Sequence, residues 1–535
     1  MKNYYIIGIV FLISMMLFSC AGELDITPPD SITDEQIKEI LASGDEAKIN
    51  LVMESIANGM PGLLHTSAAT GGASSDARYS SRQGLEAMRN LEGNDVIFGN
   101  QNMGGFGADE YYLRDFITTG VDKNRPYWHW AWSIITTANK MLNLLDDETV
   151  GSNTTLKEFK ARGLVVRAYA YNFLMENYQD AYLLGGKDKL GIMLYDYYSP
   201  TQDNKARSSA METYTFIKND LTTAISLFND AEKGYTTDEL NDIDLAVANF
   251  ILARVCLLTG DWSATISACD GILNNYPTLM GEDVYGGTKN VGTATNPEIR
   301  PETNGFLFND VNPEVILGWP AASTIHNYWT NPFGEGNGGY GSAFARIDNR
   351  LYDKIDNKDY RKNCFMATDF GDYAYPTTGA SRYIPAYTNL KFAATHGIGL
   401  EDKKEVGLVT CCYMRSSEAL LMKAEAQAQA GSDAAAKTTL NVLLAARTKA
   451  GEPTLTCDNY TSMSGMTTLQ MVQLQTRIEL WGEGGCEFFN NKRWNIPVDR
   501  TGSSNHVDKG TYSVANMTLQ IPEEEMLYNP LCEQN

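Results

Sequence analysis

The run Ala248-Asn249-Phe250-Ile251-Leu252-Ala253-Arg254-Val255-Cys256-Leu257-Leu258-Thr259-Gly260-Asp261-Trp262 decides the fold of this chain. Ala248, Leu252 and Val255 recur at helical spacing, and Gly260-Asp261-Trp262 then breaks the helix. A second helix is expected to follow as far as Asn274, ahead of Pro277. The small residues Ala253, Ala264, Ala268 and Gly271 stand where two helices can approach closely. That is the layout of a tetratricopeptide-like hairpin: two helices, small contact residues and a terminal proline.

The same layout recurs on both sides of this run. Trp128, Trp132, Ile135, Asn139, Leu142 and Leu145 share one helical face, and Leu164, Ala168, Tyr171, Met175 and Tyr178 share another. Far downstream, Arg415 to Ala430 forms an Ala-rich helix ended by Gly431, with Ala434 to Lys449 as its hairpin partner. Met471, Leu474, Ile478 and Trp481 mark one more face. Hairpins of this kind cannot bury their faces singly, so the early and late groups must pack on each other across the gap between them. Within that gap, Pro277 to about Cys412, helical periodicity fades and Gly, Asn, Thr, Tyr and Pro dominate. A segment this long is a functional elaboration rather than an idle connection, and its aromatic content argues against disorder. Residues 61–112 form a smaller Gly- and Ser-rich region around a short helix near Ser81 to Leu91. The expected architecture is a single domain over 31–535. Its helical scaffold spans about 113–277 and 413–495, and its loop-rich part about 61–112 and 278–412.

The N-terminus carries a different message. A 15-residue apolar run, Tyr4 to Phe18, follows a single Lys2 and stops at Leu17-Phe18-Ser19-Cys20. Crossing a bilayer takes about 20 apolar residues. The layout is that of a secretory signal over residues 1–19, and a cut before cysteine resembles a bacterial lipoprotein lipobox. Cys20 is then the lipidation site, and residues 20–30, ending in the extended Pro28-Pro29, form a tether. The other reading is an ordinary signal peptide with a chance cysteine. Composition excludes one class of function. The chain carries 43 Lys+Arg against 66 Asp+Glu, a net charge of −23, with no basic cluster to offset it. Such a surface repels phosphate backbones, so no nucleic acid is expected as partner. The eight cysteines beyond Cys20 are scattered without a CxxC pair, and Cys256 and Cys269 lie in apolar helical patterns as small buried thiols.

A search for catalytic motifs narrows the field further. His65, His129, His326, His396 and His506 are far apart and include no HExxH pair, so no metal site and no cofactor is advertised. There is no GxSxG elbow and no Walker lysine loop. Gly336, Gly338 and Gly341 satisfy GxGxxG literally, but no strand precedes them and no helix follows, so they belong to a loop. Nothing among 66 carboxylates picks out a catalytic pair. What stands out is aromatic. Trp319, Tyr328, Trp329, Phe333 and Tyr340 crowd one irregular segment, and Arg78, Tyr79, Arg82, Asn94, Asp95 and Phe98 mix polar forks with rings in the earlier one. Sugars present apolar C–H faces and polar edges, which flat rings and carboxylate, amide or guanidinium groups complement. Each ring either anchors a loop onto the helical body or faces a ligand. The candidate ligand-binding residues are Arg78, Tyr79, Arg82, Asn94, Asp95, Trp319, Tyr328 and Trp329.

In this order, the motifs resemble the SusD/RagB-like outer-membrane lipoproteins, across nearly the whole chain. The resemblance rests on Leu24-Asp25 and Pro28 after Cys20, Asn94-Asp95, Ala138-Asn139, Arg167-Ala168-Tyr169 and Ala253-Arg254 with Gly260-Asp261-Trp262. It continues through Arg415, Glu418, Leu421 and Ala424-Glu425-Ala426, then Arg477, Glu479-Leu480, Glu483-Gly484 and Lys492-Arg493-Trp494, to Ile521-Pro522, Asn529-Pro530 and Gln534-Asn535. One departure follows Glu483-Gly484. Cys486-Glu487 and Asn490-Asn491 stand where the family usually places Arg and Asp, which puts one local ion pair in doubt. The resemblance implies a mainly α fold, with four tetratricopeptide-like hairpins forming a superhelical scaffold that carries a loop-rich ligand-binding elaboration. It also implies a lipid-anchored protein at the outer-membrane surface. Such a protein binds an oligosaccharide as the lid of a TonB-dependent, SusC-like transporter barrel and breaks no bond. A peptide-binding lid of the same fold and a surface glycoside hydrolase are the alternatives. The motif residues themselves read as scaffold: Arg415 and Glu418, three apart on one helix, are expected to pair, and Arg477 and Glu483 to join helices.

Overall fold

The computed structural model describes residues 33–57, 59–65, 82–98, 113, 124–235, 240–286, 304–319, 345–374, 381–392 and 410–535. The longer helices are α1 (Asp34–Ala42), α2 (Glu46–Ala57), α3 (Arg82–Leu91), α4 (Arg125–Leu142), α5 (Thr154–Tyr178) and α6 (Ala210–Asp230). They continue with α7 (Leu245–Thr259), α8 (Trp262–Asn275), α9 (Ser416–Gln429), α10 (Asp433–Ala446), α11 (Thr468–Glu479) and α12 (Cys486–Trp494). The fold is mainly α, as the sequence pattern requires. Cys20, with the signal and tether segments, lies outside the described residues.

The deciding run folds as expected, and its caps show why. Gly260 closes α7 at φ +80°, a left-handed position that favours glycine. The next residue, Asp261, accepts the Ala264 N–H at 3.3 Å and so starts α8. Two helices therefore join with almost no loop. Capping boxes at Ser209/Glu212 and Thr467/Gln470 set the starts of α6 and α11. Helix α5 packs against both α4 and α6, α6 against α7, and α7 against α8; α9 then packs against α8, α10 and α11. The late group thus docks on the early one through α8 and α9, bridging the gap. Helix α4 is buried on more than the anticipated face, because Trp130, Ala131 and Ile134 are as enclosed as Trp128 and Ile135. Cys256 and Cys269 are buried, as their apolar setting implied.

The two loop-rich regions contain short strands. These are β1 (Val96–Phe98), β2 (Val315–Trp319), β3 (Ala345–Ile347), β4 (Phe370–Ala374), β5 (Ser381–Ile384) and β6 (Cys411–Arg415). Pairing is antiparallel, β1 with β3, β2 with β6 and β4 with β5. The β1–β3 pair joins the two loop-rich regions, and β2–β6 closes the gap just before α9. Gly318 allows that closure, since a Cβ there would stand 2.8 Å from the Cys411 carbonyl oxygen.

A buried charge network holds the loop-rich part to the helices. Arg415 Nη1 meets Glu314 Oε2 and Glu479 Oε1, both at 2.7 Å, while its Nε meets Glu483 Oε2 at 2.7 Å. Arg447 Nη2 meets Glu314 Oε1 at 2.7 Å and Glu479 Oε1 at 2.8 Å. Arg361 meets Glu479 Oε2 at 2.9 Å and also pairs with Asp359, and Lys391 pairs with Glu483. Four cations thus face four carboxylates, and Glu479 accepts from three arginines. This corrects two expected pairings. Arg415 ends β6 with extended backbone (φ −145°, ψ 153°), which sends its guanidinium away from Glu418. Glu418 instead takes Arg254 of α7 through two contacts at 2.7 and 2.8 Å. Arg477 pairs with Asp95, not with Glu483.

Glu479 is fully buried, and although burial alone would raise its pKa, Arg447, Arg415 and Arg361 hold the carboxyl well below the usual value of 4.5. Glu479→Gln leaves three buried guanidinium groups short of a partner and is expected to cost about 3–5 kcal/mol, read as a lower urea midpoint. Because the folded pKa is depressed, the carboxylate's contribution is fully present above the unfolded value and is lost as pH falls through the folded one. The variant's deficit against the unsubstituted protein should therefore shrink on acidification below pH 4.5.

Candidate functional site

Trp319 is the candidate around which the described residues assemble a surface. It closes β2, opposite Cys411 of β6, and is half-buried. His65 stacks on its indole with centroids 4.4 Å apart and planes 10° from parallel. His65 Nδ1 is hydrogen-bonded to the Tyr413 hydroxyl of β6, and the His65 carbonyl accepts the Arg82 backbone N–H at 3.4 Å. The Arg82 guanidinium then lies 4.0 Å over the Tyr413 ring and 5.0 Å over Tyr169 of α5. Its Nε donates to Glu86 at 2.6 Å.

The result is a ladder of alternating rings and cation, Trp319, His65, Tyr413, Arg82 and Tyr169, running from the partly exposed indole into the helical body. Desolvation pushes the Tyr413 phenol well above the usual tyrosine range, so it stays neutral and keeps its proton for hydrogen bonding. A cation over ring faces in a dry setting is attracted by about 2 kcal/mol, which stiffens the support under the indole. The ladder holds no pair of carboxylates across a cleft and no nucleophile beside a base. Its chemistry is that of a rigid, flat, partly apolar face with hydrogen-bonding groups at its edge.

Of the eight candidates, Trp319 and Arg82 come together here. Arg82 is 2% exposed and supports the platform from behind, so it is no fork open to solvent. Asn94 and Asp95 are elsewhere and fully engaged. The Asn94 N–H donates to Glu487 at 2.9 Å, its Oδ1 accepts the Asp499 N–H at 2.7 Å, and the Asp95 carboxylate takes Arg477 Nε at 2.8 Å. Both residues are buried, at 6% and 1% exposure, and brace the turn between α3 and β1 against α11 and α12. Glu487 there accepts backbone N–H groups and the Asn491 amide, the local replacement for the ion pair that its sequence context put in doubt. Arg78, Tyr79, Tyr328 and Trp329 lie outside the described residues. His65, Tyr413 and Tyr169 were missed. Only Tyr169 carried a signal, as part of Arg167-Ala168-Tyr169, whereas His65 stood as an isolated histidine.

Comparison with known proteins rests on this geometry. A family model described as "SusD family" matches residues 281–529, and one described as "Starch-binding associating with outer membrane" matches 81–254. The chain belongs to the SusD-like family. Among solved structures, this SusD-like chain is similar to a SusD-like carbohydrate binding protein from Bacteroides vulgatus, with 21% identity and a TM-score of 0.66, covering 90% of this chain and 97% of that one. A SusD superfamily protein from Bacteroides thetaiotaomicron is 18% identical with a TM-score of 0.65, covering 94% and 100%. Surface glycan-binding protein A from Bacteroides thetaiotaomicron, solved in complex with laminarihexaose, is 15% identical with a TM-score of 0.62, covering 91% and 99%. No curated protein sequence matches the chain.

Asp95→Ala removes the carboxylate that holds Arg477, which is itself 22% exposed. The expected cost is about 2–3 kcal/mol, below the figure for a fully enclosed pair because solvent screens part of it. Chemical denaturation followed by tryptophan fluorescence should show the midpoint shift.

Proposed function

We propose that this SusD-like chain is a cell-surface glycan-binding lipoprotein, anchored to the outer membrane through Cys20. In this reading it captures an oligosaccharide and delivers it, as a lid, to a TonB-dependent transporter without breaking any bond. The observation that carries the binding reading is the partly exposed Trp319 indole seated on His65. An aromatic face held rigid in advance accepts the C–H face of a sugar ring with little ordering cost. Tyr328 and Trp329, and Arg78 and Tyr79, are the proposed further contacts. The laminarihexaose bound by surface glycan-binding protein A belongs to the ligand class proposed here.

A glycan panel read by calorimetry should contain at least one binder. Trp319→Ala should weaken it on the order of tenfold, about 1.4 kcal/mol, with little change in the unfolding midpoint. Binding to peptides with silence across the glycans would favour a peptide-binding lid. Release of shorter products, abolished by one carboxylate substitution, would favour a hydrolase. Lipid anchorage is tested separately: Cys20→Ala is expected to move the protein out of the membrane fraction, and persistent anchorage would reveal another attachment.

A further inference from the structure

Behind the ladder, lined from α3, α4, α5, α7, β6, α9, α11 and α12, lies a cavity whose wall includes the ladder's Arg82, Tyr413 and Tyr169. About 90 Å³ of it is accessible to water. Five arginines and five glutamates line it, and they are largely spent on one another. Arg82 holds Glu86 at 2.6 Å, Arg254 holds Glu418 at 2.7 Å, Arg415 holds Glu483 at 2.7 Å, and Arg493 holds Glu425. The walls are therefore neutral as a whole, and an occupant with net charge would sit uncompensated in a dry setting.

Two polar atoms of side chains in the cavity lining have no hydrogen-bond partner among the described residues, and both side chains are more than nine-tenths buried. Arg82 Nη1 is a donor and Asn172 Oδ1 an acceptor. The Asn172 amide nitrogen already donates to Glu176 at 2.8 Å, which leaves Oδ1 as the free end of the amide. The lining also includes apolar and aromatic side chains, Phe173 and Phe489 among them. Waters need two to four polar partners each, which these apolar side chains do not supply. A molecule that is apolar on its faces and hydroxylated at its edges satisfies both kinds of lining. A smaller pocket lined by Asp180 and Tyr182 adjoins it, sharing Glu176, Leu258, Phe489 and Arg493.

We infer that this cavity is a second ligand site, taking one neutral polyhydroxy molecule no larger than a single pyranose, with Arg82 Nη1 donating to it and Asn172 Oδ1 accepting from it. The inference draws on the proposed glycan chemistry for the class of ligand; it shares Arg82 with the support under Trp319, while Asn172 takes no part in that platform. The test uses the mature protein with glucose, galactose and xylose as probes. Crystals soaked in each sugar should show a ring in the cavity hydrogen-bonded to Arg82 and Asn172. Calorimetry should show that Asn172→Leu lowers monosaccharide affinity at least tenfold while leaving oligosaccharide binding intact, and that Trp319→Ala does the reverse. Electron density for water chains alone, or binding at crystal concentration only, would overturn the site. So would monosaccharide affinity that survives Asn172→Leu. If that variant fails to fold, the soaked crystals of the unsubstituted protein still decide. Failure of the platform reading shows instead as loss of oligosaccharide binding in the unsubstituted protein.

Discussion

Glu479 accepts hydrogen bonds from Arg361, Arg415 and Arg447 in a site closed to solvent, and the remainder of the molecule is arranged around that contact. The three arginines come from different places: the loop-rich part, the end of β6 and the turn after α10. None could be buried alone, because an uncompensated charge in a protein interior costs several kcal/mol. Each is therefore committed to the same carboxylate, and through it the gap segment is committed to the helices. Burying four cations against four carboxylates gives little net stability compared with a well-packed apolar core. Its effect is on register. The loop-rich part can seat on the scaffold in one way only, since any slip leaves a charge without its partner.

That fixed seating is what makes a platform at Trp319 possible. The strand carrying the indole begins one residue after Glu314, a member of the network, and pairs with the strand ended by Arg415, another member. Tyr413 sits on the latter strand, His65 is hydrogen-bonded to it, and Arg82 lies beneath its ring. The position of the indole thus follows from electrostatics some residues away. Strands as short as β2 and β6 have little register preference of their own. They acquire it from the ion pairs at their shared end.

The helices were legible in the sequence because their signals are local. Gly260 and Asp261 act as cap and start within two residues, and the 3.6-residue repeat of Ala248, Leu252 and Val255 needs no partner to be recognised. The ordered motifs carried the family for a similar reason, being short runs whose sequence order survives. The strands of the gap were not legible. Runs of three to five residues interrupted by bulges show almost no alternation. Ion-pair partners were misjudged for a related cause. Spacing suggested that Arg415 would meet Glu418 along one helix, but the helix begins after Arg415, and one residue of extended backbone redirects the guanidinium entirely. For the site, composition put Trp319 and Arg82 among the candidates but could not say that one is partly exposed and the other buried behind it. Asn94 and Asp95 have the right chemistry for a sugar edge, and the fold spends it on holding a turn.

The indole and the imidazole it rests on lie about 250 residues apart in the chain and meet only through β2, β6 and the residues around them. No fragment of the polypeptide contains the pair together with what aligns it. A truncated or partly assembled molecule therefore has no weakened version of this surface; it has none. Under the proposed function, competence to hold a ligand at this surface then depends on complete assembly of the chain.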